Sequence, residues 1–400
     1  MKLKSLGDAW NSFFFAAESP TPIALFRIVY GVLVIATLLL LHGDWLAWYG
    51  PRGWVSISSV RTIERGVPLD LFAILPQQNA WVEALFWLAL ASAIFLTFGF
   101  LTRLSSIVLF VCLVSIDERN LYILHGGDTF LRVAGFFLIF APAGAAISVD
   151  RLVRLWRGKE DIAIAPRRPW AQRMIQIELA LLYFATFCWK IQGEPWIQGT
   201  ALYYVYHVDE LQRFPVPSWL LRPAVLKVGS WFALVLEFAL GVLIWLKDLR
   251  YILLAIGLAF HLFLEYSINV PMFEWDVLSA YILFVYPADL TRVWNWLSSR
   301  IAPHIAAPIT VLYDASSPRL RARANLLRAL DVFHRLSFND LPTASNASPA
   351  PVQTPRDMDR SRLIVQTPRG PRQGFAAARA LSRAVPLLWP LAPLSLSRLR

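Results

Sequence analysis

The sequence predicts an all-α polytopic membrane protein of about eight transmembrane helices, followed by a separate, small soluble region. Three observations carry this. Of 400 residues, 57% are hydrophobic and only 16% charged, where a soluble domain carries about 25% charged residues. Aromatic side chains are abundant, with 17 Trp and 26 Phe, and the mean hydropathy is +0.50. The charge is also unevenly placed. The net charge is +11, and residues 301–400 hold 14 Arg, no Lys and 5 Asp, which is +9 of it. The transmembrane domain is therefore set at 1–300 and the soluble domain at 301–400. A basic soluble face suits anionic lipid, and no nucleic-acid-binding motif accompanies it.

In chain order, Met1 to Lys4 begin a short amphipathic stretch. The first long apolar run starts only after Pro22, so no cleavable signal peptide is expected. Apolar runs and breakers place spans near 22–42, 79–98, 102–117, 128–147, 173–190, 225–246, 250–269 and 273–289. The third and eighth are short, which suits a tilted or re-entrant segment. Arg27, in the first span, is expected to anchor there or to pair with a neighbouring helix. Cys112 and Cys188 both lie in apolar segments, so neither a structural disulfide nor a metal site is expected.

The positive-inside rule then orients the chain. With Lys2 and Lys4 in the cytoplasm, the turns carrying Arg103, the Arg151 to Arg173 cluster, Lys247 with Arg250, and Arg292 with Arg300 also face the cytoplasm. The opposite loops, 43–78, 118–127, 191–224 and 270–272, are basic-poor apart from Arg52, Arg61, Arg65, Arg213 and Arg222. Both termini are expected in the cytoplasm, and His125 and Lys190 at the opposite ends of their helices.

Polar residues inside the spans are the candidate functional groups, because a membrane tolerates them only with a partner or a water-filled site. In the fifth span Gln176, Tyr183 and Lys190 recur every seven residues. A helix drifts only about 20° per heptad, so they share one face. That stripe either glues helices together, with Lys190 snorkelling to the interface, or lines an internal cavity. Lys190 is followed by Gly193 and Pro195, which end the helix. An amine withdrawn from water loses its proton more readily and can then act as a general base. Before the fourth span, His125 precedes Gly126 and Gly127. Asp128 is expected to cap the helix, with Arg132 pairing to it one turn on. His125 is either a loop histidine or a group that works beside Lys190. His261 and Glu265 lie one turn apart in the seventh span and are expected to pair. Glu237 sits within the sixth. A proton-relaying transporter would use these three, but no inverted repeat or pair of broken helices accompanies them. Loop 191–224 holds Trp196, Tyr203, Tyr204, Tyr206, Phe214 and Trp219, which favour an interface and are expected to form a short helix capping the cavity.

Several of these stretches carry a family resemblance. They are Pro22 to Gly31 (PIALFRIVYG), Arg119-Asn120 with His125 to Asp128, Lys190 to Tyr204 (KIQGEPWIQGTALYY), and His261. Over roughly residues 8–290 the chain resembles HTTM proteins, bacterial relatives of the membrane half of vitamin K-dependent γ-carboxylase. In the carboxylase a Lys in a Lys-Leu-Asp-Ala-Asp-Trp run is the proposed base that deprotonates vitamin K hydroquinone, and a His assists. The resemblance implies Lys190 as the base and His125 as its assistant. It implies a reduced quinone as cofactor, held by Gln176, Tyr183, Trp196, His261 and Glu265, with no metal. It also implies a bacterial inner membrane. The chain departs from the carboxylase in two ways: it has no large β-rich region to grip a peptide substrate, and a single Lys stands where the carboxylase has two in a row.

The tail has its own resemblance. Ile309 to Leu320 (ITVLYDASSPRL), Leu326 to Asp331 and Leu336 to Asp340 read as strand, loop, helix and strand. This resembles a DCC-type thiol–disulfide oxidoreductase, a thioredoxin-like α/β domain. That family's motif reads Tyr-Asp-Gly-Asp-Cys-Pro-x-Cys, and here Ser317 and Leu320 occupy the two Cys positions. Without a thiolate no exchange chemistry is possible, so the domain is expected to serve docking or stability. Segment 341–358 reads as a flexible insertion. Two functions stay open: a quinone-dependent, oxidase- or carboxylase-like membrane enzyme, and a non-catalytic scaffold that binds quinone or lipid and docks a protein partner through its cytoplasmic domain.

Overall fold

A computed structural model describes residues 3–63, 70–305, 307–341, 358–359 and 361–389. The predicted insertion 341–358 lies outside them except for its two end residues. In chain order the helices are α1 (Leu3–Phe15), α2 (Thr21–Leu41), α3 (Trp45–Tyr49), α4 (Ile57–Ile63), α5 (Asn79–Phe98), α6 (Thr102–Arg119), α7 (Gly126–Phe140), α8 (Val149–Trp156), α9 (Trp170–Lys190), α10 (Glu194–Gln198) and α11 (Ala201–Val205). They continue with α12 (Pro223–Val242), α13 (Lys247–Ser267), α14 (Phe273–Ser279) and α15 (Pro287–Ile301). Then come β1 (Ile309–Tyr313), α16 (Pro318–Leu330), β2 (Leu336–Asp340), β3 (Ile364–Thr367), β4 (Gly370–Arg372) and α17 (Gly374–Ala384). The chain divides into two compact units. One holds residues 1–148 and 166–286, the other 149–165 and 287–400.

The first unit is helical. Four of its helical segments are long and apolar enough to cross a membrane: Thr21–Tyr49, Asn79–Phe98, Pro223–Trp245 and Lys247–Ser267. The other four predicted spans fold as helices with a physical reason to differ. At ~1.5 Å per residue the 15 residues of α7 reach ~22 Å, short of a ~30 Å hydrocarbon core. Its predicted continuation to 147 is broken at Pro142. Helix α6 ends in Asp117, Glu118 and Arg119, and α9 carries Arg173, Glu178 and Lys190. The predicted eighth span breaks after Ser279 into a 3-10 turn, Ala280–Phe284.

Apolar side chains from α2, α5, α6, α7, α9 and α12 form one core that includes Phe26, Tyr30, Phe86, Phe130 and Leu240. Helices α5 and α6 are joined by a tight reversal at Gly99, whose φ of +66° suits glycine. Arg27 is fully buried. Its guanidinium donates to the carbonyls of Ala143 at 2.7 Å and Ile147 at 2.6 Å, and at longer range to Thr97 at 3.4 Å. It therefore ties α2 to the C-terminal end of α5 and to the segment after α7.

The second unit is built on a four-stranded sheet in the order β2-β1-β3-β4. β1 and β2 are parallel, with Val311 opposite Phe338. β3 runs antiparallel to β1 and β4 antiparallel to β3. Parallel neighbours need a crossover, and α16 supplies it. Residues of α16 and α17, Leu327 and Leu381 among them, share one apolar cluster with Val311 and Val365. Leu320, at 2% exposure, is core beneath α16, and Ser317 is its N-cap residue.

Candidate functional site

Two polar constellations lie in the helical unit. The first is built on the start of α7. The predicted helix start at Asp128 is corrected: the N-cap is His125. Its Nδ1 accepts the Gly127 N–H at 3.0 Å, while Asp128 Oδ2 accepts the His125 N–H at 2.9 Å. An imidazole nitrogen here does the work of a Ser or Asp oxygen in a capping box. Sequence reasoning missed this because His is not a usual cap. The geometry also fixes the ring's tautomer. With Nδ1 accepting, a neutral His125 carries its proton on Nε2. That nitrogen makes no hydrogen bond with a described residue. Gly127 is required at this cap because a methyl on it would meet Asp276 Oδ2 and His125 Cε1, both at 2.7 Å.

The predicted Arg132–Asp128 pair is corrected as well. Arg132 faces α6 instead, 3.6 Å from Asp117 and 3.4 Å from Glu118. His125 rests edge-on against Phe273 at 5.9 Å, which closes the other side of the ring.

His125, Asp117 and Asp128 line a cavity of about 290 Å³. Its remaining wall is mostly apolar, from α2, α3, α6 and α7, with Tyr49 and Thr37 as further polar groups. Thr37 Oγ1 is buried without a hydrogen-bond partner. A helical Thr normally returns its hydroxyl to the preceding turn's carbonyl, so this orphan is unusual. Nothing in the spacing of Thr37 announced it.

The second constellation follows the predicted face of α9, and all three stripe residues reach across to other elements. Gln176 donates to the Leu283 carbonyl at 2.6 Å and accepts from Arg173 at 2.9 Å. Tyr183 Oη lies 2.6 Å from His261 Nε2 and 2.7 Å from Tyr281 Oη. Lys190 forms an ion pair with Glu237 of α12, and its ammonium stands 4.6 Å from the centre of the Trp196 ring.

The expected pairing of His261 with Glu265 is overturned. His261 Nδ1 bonds Glu274 at the start of α14, and Glu265 is paired with Arg213 from the 191–224 loop. Glu265 therefore lies outside the Tyr183–His261 cluster. His125 and Lys190 are not joined either: His125 lines the cavity, and Lys190 does not. The aromatic loop contributes the short helices α10 and α11, and Trp196 of α10 is the ring beneath Lys190.

Three buried groups were not singled out from sequence. Glu274 is the partner of His261. Asp276 is 1% exposed and neither of its carboxylate oxygens makes a hydrogen bond. Glu178 Oε2 is likewise buried and unpartnered. Among the described residues no group of three or more His, Cys, Asp or Glu is arranged to hold a metal ion, and Cys112 and Cys188 are free.

With this geometry in place, comparison with known proteins gives the family. A model of the HTTM domain matches residues 15–288. The chain is 25% identical over 132 residues to "Sporulation-delaying protein SdpB" of Bacillus subtilis (strain 168). That match covers 31% of this chain and 40% of the relative, so it spans less than half the length of the curated protein. No solved structure matches. The family model covers α2 through the end of the helical unit, both polar constellations included, and the chain belongs to the HTTM domain family.

Proposed function

We propose that this chain is an eight-helix membrane protein, related to the membrane half of γ-carboxylase, that binds a quinone in the cavity bounded by Thr37 and His125. One observation carries the reading. A mostly apolar cavity of about 290 Å³ is lined by three residues whose donors have no hydrogen-bond partner among the described residues: Thr37, Tyr49 and His125 through Nε2. All three can donate. A quinone offers two ring oxygens as acceptors on an otherwise apolar disc, which matches a pocket of few polar groups in an apolar wall. The residues present thus suit the ring.

The enzymatic form of the proposal assigns Lys190 as base; because Lys190 does not line the cavity, it acts on the ring only after the ligand or the helices move to bring the two together. Its amine stands against Glu237, so it can serve only after passing its proton to that carboxylate, and the two work as one acid–base unit. His125 then binds a ligand oxygen through Nε2–H and does not take a proton. The non-catalytic scaffold is the second reading, and the Lys190–Glu237 pair favours it, because a paired amine is also what a purely structural tie looks like.

The orientation proposed is both termini in the cytoplasm of a bacterial inner membrane, supported by the basic turns. The C-terminal sheet is read as a thioredoxin-like domain of DCC type. Its β1–α16–β2 crossover followed by the antiparallel pair β3 and β4 supports this. With Ser317 and Leu320 at the Cys positions, it acts by docking a protein partner.

The test uses the full chain in nanodiscs with a naphthoquinone. Ring binding is read by quenching of tryptophan fluorescence. Turnover is read as aerobic oxidation, in which the hydroquinone gives two electrons and two protons to O2 and yields quinone and hydrogen peroxide. Binding that weakens in Thr37→Val, with turnover lost in Lys190→Ala, is the expected result. Binding without turnover in wild type selects the scaffold. Absence of quinone binding in wild type sinks the proposal.

A further inference from the structure

The second unit carries a cavity of its own, of about 290 Å³, between the end of α8 and the start of α16. Arg157 lines it from the 149–165 segment, and Arg319 and Arg321 line it from α16. The arginines are exposed. Arg321 is oriented by its Nε and one terminal nitrogen, which donate to the Ala315 carbonyl at 3.2 and 2.7 Å. Arg157 and Arg319 make no hydrogen bond or ion pair with the described residues.

The acidic groups of the wall do not cancel this charge. Glu160 is already held by Arg151 at 3.2 Å and Arg154 at 2.6 Å, which leaves Asp161 against three guanidiniums. The floor is Asn325, at 7% exposure. Its Oδ1 accepts from Arg328 at 2.9 Å, while its amide Nδ2 makes no hydrogen bond. That amide is a donor still available to an acceptor in the cavity. Helix α16 adds no acidic residue in its first turn and no side-chain cap at Ser317.

Apart from the Asp161 carboxylate, the free side-chain groups at this cavity are donors, and three of them are cationic. We propose that the cavity binds a phosphomonoester dianion. Guanidinium forks match its oxygens, and Asn325 Nδ2 supplies the hydrogen bond that anchors it inward. The enclosed volume takes one small group and not a polymer strand. Trp156, 61% exposed at the rim, offers an aromatic face to whatever carries the phosphate. The phosphate has two sources, a lipid headgroup of the phosphatidic acid type or a soluble sugar or glycerol phosphate. The proposal is independent of quinone binding.

The full chain in neutral phosphatidylcholine nanodiscs is titrated with glycerol 1-phosphate by calorimetry. In parallel, discs doped with phosphatidic acid are purified and the lipid retained per chain is counted by native mass spectrometry. Binding of either probe that weakens about tenfold in Arg319→Gln, the scale of one charge-assisted hydrogen bond, and again in the isosteric Asn325→Asp, is the expected result. The arm that shows it identifies the source. Arg362→Gln, which alters a surface charge outside the cavity, should bind as wild type does. Three results overturn the proposal: neither probe binds wild type, the cavity variants bind unchanged, or Arg362→Gln weakens binding equally and so exposes a general basic surface.

Discussion

Tyr183 Oη stands 2.6 Å from His261 Nε2 and 2.7 Å from Tyr281 Oη, joining α9 to α13 and to the turn after α14. For a neutral His261 beside an ionised Glu274 the directions follow: Glu274 accepts from His261 Nδ1–H, which leaves Nε2 as an acceptor. Tyr183 then donates to His261, and Tyr281 donates to Tyr183. The four groups form a one-way chain ending on a carboxylate.

Tyr183→Phe breaks that chain in the middle and leaves both His261 Nε2 and the Tyr281 hydroxyl unmatched. The expected loss is about 1–3 kcal/mol of stability, read as a lower melting temperature in detergent, with quinone binding at the Thr37 cavity unchanged. A melting temperature equal to wild type would mean the hydroxyl contributes nothing net.

Lys190→Ala strands the Glu237 carboxylate, whose second oxygen, Oε2, is already buried and unpartnered. The pair is partly exposed at Lys190, so removing the amine should destabilise by about 1–3 kcal/mol, between the exposed and the buried limits. Replacing both, Lys190→Met with Glu237→Leu, should restore most of that. A double-mutant cycle measures the coupling directly. Independent, additive losses would show that the pair is not an energetic unit.

Thr37→Val separates stability from binding. The hydroxyl has no partner, so its removal should leave the protein as stable as wild type or more stable by about 1 kcal/mol. Quinone affinity should fall about tenfold if the hydroxyl bonds a ring oxygen. Thermal melting and quinone titration on the same sample give both values.

Gly127→Ala presses a methyl against Asp276 Oδ2 and the His125 ring. Overpacking of this kind costs about 1–3 kcal/mol. It should also displace His125 from its cap, so quinone binding should weaken along with stability. Unchanged binding would place the His125 ring outside the ligand's reach.

How much of this was legible in the sequence depended on distance along the chain. The apolar runs placed α2, α5, α12 and α13 to within a few residues, because length and hydropathy are local properties. The heptad of Gln176, Tyr183 and Lys190 correctly marked one face of α9 for polar contacts, since helical periodicity is local too. Partners were another matter. His261 pairs with Glu274, 13 residues on, and not with Glu265 in the next turn; Glu265 pairs with Arg213, 52 residues away. A one-turn spacing permits a pair, but tertiary packing selected different ones. The cavity at Thr37 was invisible for the same reason: its walls come from α2, α3, α6 and α7, and its polar groups are ordinary residues until the helices leave them unpartnered. The start of α7 was misplaced because Asp128 is the usual N-cap residue type, whereas here the His125 side chain caps the helix and brings Gly126 and Gly127 into it.

The Arg27 tie sets an order of assembly. Its three carbonyl acceptors lie 70, 116 and 120 residues downstream. When α2 leaves the ribosome none of them exists, and a guanidinium in an apolar helix is unfavourable, by roughly 2.5–3.5 kcal/mol at the helix centre and by less near the end, where Arg27 stands. At roughly 5–20 residues per second, Ile147 follows Arg27 after about 6–24 s. Over that interval Arg27 has to keep its guanidinium in water by snorkelling, and its carbonyl partners come within reach only when the fourth helical segment has been made.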